Sequence, residues 1–192
     1  MFNIRKILDE SNKNENKILR KKASDVSFPL SKEDEETALY LIDYLRFASI
    51  EENAIKYNLR PGVGLAAPQL GISKKMIAIF IEYFDEENKV TNKLEYVLIN
   101  PKIVSHSARL AYLRGGEGCL SVKLDKEGFV PRYFFITVTG YDYLTKKTIT
   151  QKFRGYEAIV LQHEIDHLDG VLYFDHINKE TPWKKIDGAI EI

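Results

Sequence analysis

The stretch Tyr156–Gly170, YEAIVLQHEIDHLDG, decides how the rest of the chain is read, because it sets His163 and His167 four positions apart around Glu164. On a helix, residues four apart share a face, so both imidazoles can reach one metal ion. Glu164 lies beside them without ligating and is placed to act as a base toward a metal-bound water. Ala158, Leu161, Ile165 and Leu168 recur at spacings of three and four, an apolar row roughly opposite the histidines. Gly155 precedes the segment and Gly170 closes it, at the position where helices often end in a left-handed residue. One face of this helix is therefore expected in the core and the other in a site.

A catalytic zinc-like centre uses three protein ligands and keeps a fourth position for water. Cys119 is the candidate third ligand. It is the only cysteine of the chain and sits in GGEGCLS, where Gly115, Gly116 and Gly118 permit close backbone approach. A lone cysteine is more often a small buried hydrophobe, and the paired histidines reverse that preference here. A third segment, RPGVGLAAPQLG from Arg60 to Gly71, reads as an ordered loop between a helix and a strand, punctuated by Pro61, Gly62, Gly64, Pro68 and Gly71. Gln69 is its one long polar side chain after Arg60, and its amide can donate to a developing oxyanion. The segment lacks both the GxGxxG order and the lysine of a phosphate loop.

Taken together, the three segments make the chain resemble the peptide deformylases, which show GxGxAAxQ, EGCLS and QHExDH in that order. Here they read GVGLAAPQ at Gly62–Gln69, EGCLS at Glu117–Ser121 and QHEIDHLDG at Gln162–Gly170. The likeness continues through VPR at Val130–Arg132 and ITVTGYD at Ile136–Asp142, and spans about residues 60 to 177. It is greatest to the branch with a longer insertion after EGCLS and no long C-terminal helix. Lys123 and Leu124 depart from the acidic and basic pair common in that branch.

The resemblance implies a hydrolase that removes the formyl group from N-formylmethionyl nascent polypeptides and releases formate. A metal-bound hydroxide would attack, with Glu164 as general base and then acid. Cys119, His163 and His167 would be the metal ligands, the Leu120 N–H and the Gln69 amide the oxyanion donors, and Glu117 with Arg132 a supporting ion pair. The implied cofactor is one divalent ion, Fe2+ in the cell, with Zn2+, Ni2+ or Co2+ able to substitute; two imidazoles and a thiolate suit all of them. Tyr156 and Ile159 share the face of His163 and Val160 lies close by, which makes them candidates for a methionine pocket. Their competing reading is plain core. Val63 and Gly64 are expected to pair with the extended peptide as an added strand, with Gly118 in the same substrate site.

Two other classes fit less well. A metallopeptidase would take a downstream third ligand, and Asp169, Asp175, His176 and Glu180 do not form a metzincin arrangement. A structural zinc module needs a fourth ligand, which no second cysteine supplies.

Composition agrees with one enzyme domain. The 192 residues are 44% hydrophobic, enough for one core, so residues 1–192 are expected to form a single catalytic metallohydrolase domain, with 178–192 a partly ordered tail. Lys and Arg balance Asp and Glu at 28 each, which leaves no electrostatic footprint for nucleic acid or a membrane surface. Formylated peptides are the expected partners, with a transient ribosome contact and a monomeric state. The segment MFNIRKILDESNKN has no signal-peptide apolar run, and one cysteine permits no internal disulfide, so a cytoplasmic location is expected.

The expected fold class is α+β, with antiparallel and mixed sheets around a central HExxH helix. Ser31 with Asp34 reads as a helix start, followed by the stripe Ala38, Leu41, Ile42, Leu45 and Ala48. Met76–Ile81 and Tyr96–Asn100 read as strands joined by the polar connection Asp85–Lys93, a solvated hairpin. Tyr133–Tyr141 and Thr148–Phe153 read as a second pair turning at Leu144–Lys147.

Overall fold

The computed structural model describes residues 2–192. Its organising strand is β2, Met76–Phe84, buried along most of its length. Successive side chains of a strand face opposite sides. Met76, Ala78 and Phe80 accordingly join one apolar cluster, and Ile77, Ile79 and Ile81 join another. The first cluster is closed by helix α2, Lys32–Ser49, and the second by helix α4, Tyr156–Leu168.

The main sheet has the order β1-β2-β3-β6-β7, with β1 Gly64–Ala66, β3 Val90–His106, β6 Phe135–Asp142 and β7 Lys147–Arg154. All its pairings are antiparallel. A smaller sheet joins β5 Arg132–Tyr133, β4 Leu110–Tyr112 and β8 Ile190–Glu191, and its β4–β8 pairing is parallel. Two short helices, α1 Lys13–Leu19 and α3 Glu51–Tyr57, complete the α+β architecture.

Both long helices start and stop where local chemistry dictates. The Ser31 side chain accepts from the Asp34 N–H at the start of α2, and Leu41, Ile42 and Leu45 are fully buried behind it. Each such side chain contributes about 1.5–3 kcal/mol by leaving water. At the end of α4 the N–H of Val171 returns to Asp166 and that of Gly170 to His167, with Gly170 left-handed at φ +72°. A Cβ on Gly170 would lie 2.4 Å from the Arg20 carbonyl oxygen, so only glycine fits.

Two expectations are corrected. The segment Arg60–Gly71 is not simply a loop: Gly64–Ala66 forms edge strand β1, and Ala67–Leu70 a 3-10 turn ended by Gly71 at φ 79°. Its glycines and prolines mask the fully buried Leu65, Ala66 and Ala67, which hold β1 on β2. The polar connection is the expected solvated hairpin, but its strands run further than expected: the turn is confined to Asp85–Lys89, where Asp85 accepts from Glu87 and Lys89, and Asn92 and Lys93 already pair with Tyr83 and Glu82. In that projecting ribbon backbone pairing, not hydropathy, makes the strand. The segment 178–192 packs Trp183 edge-on to Phe129 at 5.1 Å, bonds Pro182 C=O to the Phe129 N–H, and ends in β8. No helix among the described residues is long and apolar enough to cross a membrane.

Candidate active site

Helix α4 turns the faces of His163 and His167 toward a tight turn at Cys119–Val122, closed by the Val122 N–H on the Cys119 carbonyl at 3.0 Å. One ligand atom from each of Cys119, His163 and His167 lies within 4.8 Å of the others, and all three residues are buried. Cys119 Sγ is 3.3 Å from His167 Nε2. Two buried polar atoms beside them, Glu164 Oε2 and His167 Nδ1, have no hydrogen-bond partner among the described residues. Such atoms cost about 1–3 kcal/mol each when left unsatisfied. One sulfur and two imidazoles, with no fourth side chain among the described residues, match a three-ligand centre with an open position.

Behind the ligands lies a chain of buried charge. Arg132 grips Glu117 with two bonds of 2.8 and 2.9 Å, and Glu117 Oε2 is 2.8 Å from His163 Nδ1. Burial alone would raise Glu117, but Arg132 and His163 hold it down at about 2. It therefore accepts from His163 Nδ1–H and leaves Nε2 as the ligand atom. Burial works against a charged His163, yet hydrogen bonds to Cys119 and Glu117 hold it well above the usual histidine value. Burial and the neighbouring His163 push His167 well below that value, toward the neutral ligand form. Glu164 is pushed up to about 7, chiefly by burial. It also explains Gly64: a Cβ there would lie 2.3 Å from Glu164 Oε1.

Sequence reasoning passed over Asp166. It receives Arg132 Nη1 at 2.5 Å and His176 Nε2 at 2.8 Å, extending the chain of charge to the surface. The available signal was an acidic residue three positions after His163 in a motif already singled out. Lys123, the departure from the branch pattern, pairs with Asp9 at 2.7 Å and ties the N-terminal segment to the cysteine loop.

Gln69 is buried, and its orientation is set by the Ala66 N–H, which donates to Oε1 at 2.8 Å. Nε2 then faces Ser121 Oγ at 3.2 Å and Cys119 Sγ at 3.6 Å. Val63, Gly64, Gly118, Tyr156, Ile159 and Val160 all line one cavity of ≈ 250 Å³, together with Gln69, Leu120 and Glu164. Tyr156 is 38% exposed, whereas Val160 also belongs to the core cluster under α4, so the two readings of Val160 hold together. Leu113 and Arg60 border the cavity too and were not anticipated there. The Val63 carbonyl accepts from the Phe80 N–H at 2.9 Å. Alternation along the ladder leaves the backbone groups of Gly64 on the free edge of β1.

A buried three-ligand cluster and a neighbouring glutamate, opening on an apolar cavity beside an unpaired strand edge, define a metallohydrolase of α+β fold. A sequence model of the polypeptide deformylase family matches residues 4–183. The chain is 49% identical over 174 residues to peptide deformylase 2 of Geobacillus stearothermophilus, covering 91% of each. It is 47% identical over 175 residues to a peptide deformylase of Levilactobacillus brevis, covering 91% of this chain and 92% of that one. Among solved structures it is similar to the Met-Ala-Ser-bound class I type b peptide deformylase of Acinetobacter baumannii, with a TM-score of 0.68 and 28% identity over 92% of this chain and 100% of that one. The peptide deformylase of Ehrlichia chaffeensis gives a TM-score of 0.71 at 26% identity, over 94% of this chain and 91% of that one. The chain belongs to the peptide deformylase family, and with it to the metal-dependent hydrolases that remove N-formyl groups from nascent polypeptides.

Proposed function

We propose that the cavity receives the N-formylmethionyl end of a nascent polypeptide and that Glu164 moves the proton as the formyl group leaves as formate. The observation that carries this reading is the unpartnered buried carboxylate oxygen of Glu164, in the cavity that Cys119, His163, Gln69 and Leu120 also line. A divalent ion held by Cys119, His163 and His167 supplies, when bound, a water of lowered pKa. Glu164 accepts the proton of the attacking water and passes it to the departing nitrogen. The Leu120 N–H and Gln69 Nε2 donate to the carbonyl oxygen as it takes charge. Glu117, backed by Arg132, fixes the ring of His163.

Val63 and Gly64 pair with the extended peptide as a strand adds to an exposed edge, with Gly118 in the same substrate site. Tyr156, Ile159 and Val160 take the methionine side chain. The ion in the cell is ferrous, with zinc, nickel or cobalt able to replace it, in keeping with the softness of the donor set. The chain works as a single catalytic domain over 1–192 and as a cytoplasmic monomer, touching the ribosome only transiently.

Formate release from N-formyl-Met-Ala-Ser, run beside the unformylated tripeptide and a longer unformylated peptide, tests the reading. Formate from the first alone supports it; cleavage of internal bonds in the others would overturn it. Metal analysis of anaerobically purified protein identifies the ion.

A further inference from the structure

We infer that Arg60 sets the aim and strength of the Leu120 N–H as a donor to the reacting carbonyl, acting through the Cys119–Leu120 peptide. This rests on the deformylase reading of the cavity. The Cys119 carbonyl accepts two bonds: one from the Val122 N–H at 3.0 Å, and one from Arg60 Nη1 at 3.1 Å. The same nitrogen donates to the Val122 carbonyl at 2.7 Å, while Nη2 meets both oxygens of Asp125 at 2.7 and 2.8 Å. The guanidinium is thus held on one side by a carboxylate and spans the turn on the other, a task its planar fork performs and a lysine does not.

A trans peptide is planar, and its C=O and N–H point in opposite directions. Pinning the Cys119 carbonyl toward Arg60 therefore sends the Leu120 N–H the other way. Leu120 borders the cavity with Cys119, Gln69 and Glu164, and its N–H makes no hydrogen bond to the described residues. The side chain of Leu120 is seated against Gly62, where a Cβ would lie 3.0 Å from Leu120 Cδ1. A charged donor on the carbonyl also draws density from the amide nitrogen, and linked hydrogen bonds polarise one another. Arg60 is a positioning residue in this account. Because it also reaches the cavity rim, direct contact with the peptide is the competing role.

The test compares Arg60→Ala and Arg60→Lys with the unaltered protein on N-formyl and N-thioformyl peptides, at measured metal occupancy. Sulfur accepts hydrogen bonds less well than oxygen, so a variant that weakens the donor loses less on the thioformyl substrate. Arg60→Ala should lower kcat on the formyl peptide about 10-fold, part of the 10²- to 10³-fold lost when an oxyanion donor is removed, with KM nearly unchanged. The loss on the thioformyl peptide should be clearly smaller, and Arg60→Lys should fall between. The Leu120 amide 15N resonance should move upfield without substrate, as its carbonyl partner is lost.

Equal losses on the two substrates, a change confined to KM, an unmoved Leu120 resonance, or a loss that follows metal content would each overturn the proposal. If Arg60→Ala fails to fold, Arg60→Lys and Asp125→Asn carry the same comparison. Formate release by the unaltered protein reports on the deformylase reading separately.

Discussion

Helices α2 and α4 cover opposite faces of the same sheet, and they bury different things. Helix α2 presents Leu41, Ile42 and Leu45 to β2 and β3; its buried polar groups, Asp34 and Thr37, sit in its first turns and bond to Ser31 and Glu33, and Asp34 also pairs with Lys74. Helix α4 presents Ala158 and Leu161 to the other face but buries His163, Glu164 and His167 as well, against Glu117 and Arg132. On the α2 side, apart from that one pair at the helix start, stability follows area and shape. On the α4 side it depends on each charge keeping its partner, because removing one leaves the other buried and uncompensated. The site is thus a region where the sheet's ordinary packing is given up for chemistry.

The largest effects should come from the α4 side. Cys119→Ala, His163→Ala and His167→Ala should each lose metal and activity together, measured by elemental analysis and formate release. Full occupancy in any of the three would remove that residue from the ligand set. Glu164→Ala should keep its metal and lose about 10²- to 10⁴-fold in kcat, the usual range for a general acid or base. Gln69→Ala should lose about 10²- to 10³-fold in kcat with a smaller change in KM. Normal turnover with intact metal would leave the Leu120 N–H without Gln69 as a second donor.

On the α2 side the expectation reverses. Leu41→Ala should cost about 2–5 kcal/mol in denaturant unfolding, the range for a fully buried leucine, while kcat per folded molecule and metal content stay as they were. Loss of metal in that variant would show that the two faces are coupled and end the distinction.

The smallest effect concerns the tie between the N-terminal segment and the cysteine loop. Hydrogen bonds from Lys123 and Ser11 hold the Asp9 carboxyl down at about 2, from an ordinary 3.8. A depressed carboxylate stabilises the fold fully above its ordinary value and loses that contribution as pH falls through the lowered one. The Tm difference between the unaltered protein and Asp9→Asn should therefore be greatest above about pH 5 and shrink toward about pH 2. A difference that stays constant over that range would mean the charge on Asp9 is not what holds the segment.

Helix α4, with its positive-φ glycines at either end, and the Ser31 cap of α2 were legible because periodicity and capping are local properties of a few consecutive residues. Strand β1 was not, since three residues carry no period and their glycine-rich flanks read as turn. The stretch Val90–Lys93 was missed for the opposite reason: its polar side chains stay in water while its backbone pairs. Asp166 and Arg60 lie within quoted motifs, yet their partners Arg132, Cys119 and Asp125 lie far along the chain.

The sequence by itself determined the donor types, their spacing within each segment, and the stripes that would face a core. Those follow from side-chain chemistry and the fixed geometry of a helix turn. Only the tertiary structure decided that Cys119 meets His167 across 48 residues, that the Val63 carbonyl belongs to β2 while Gly64 keeps the free edge, and that Arg60 holds the peptide whose N–H faces the cavity. Such contacts are set by strand pairing and by how two helices seat on one sheet, and local spacing carries no record of either.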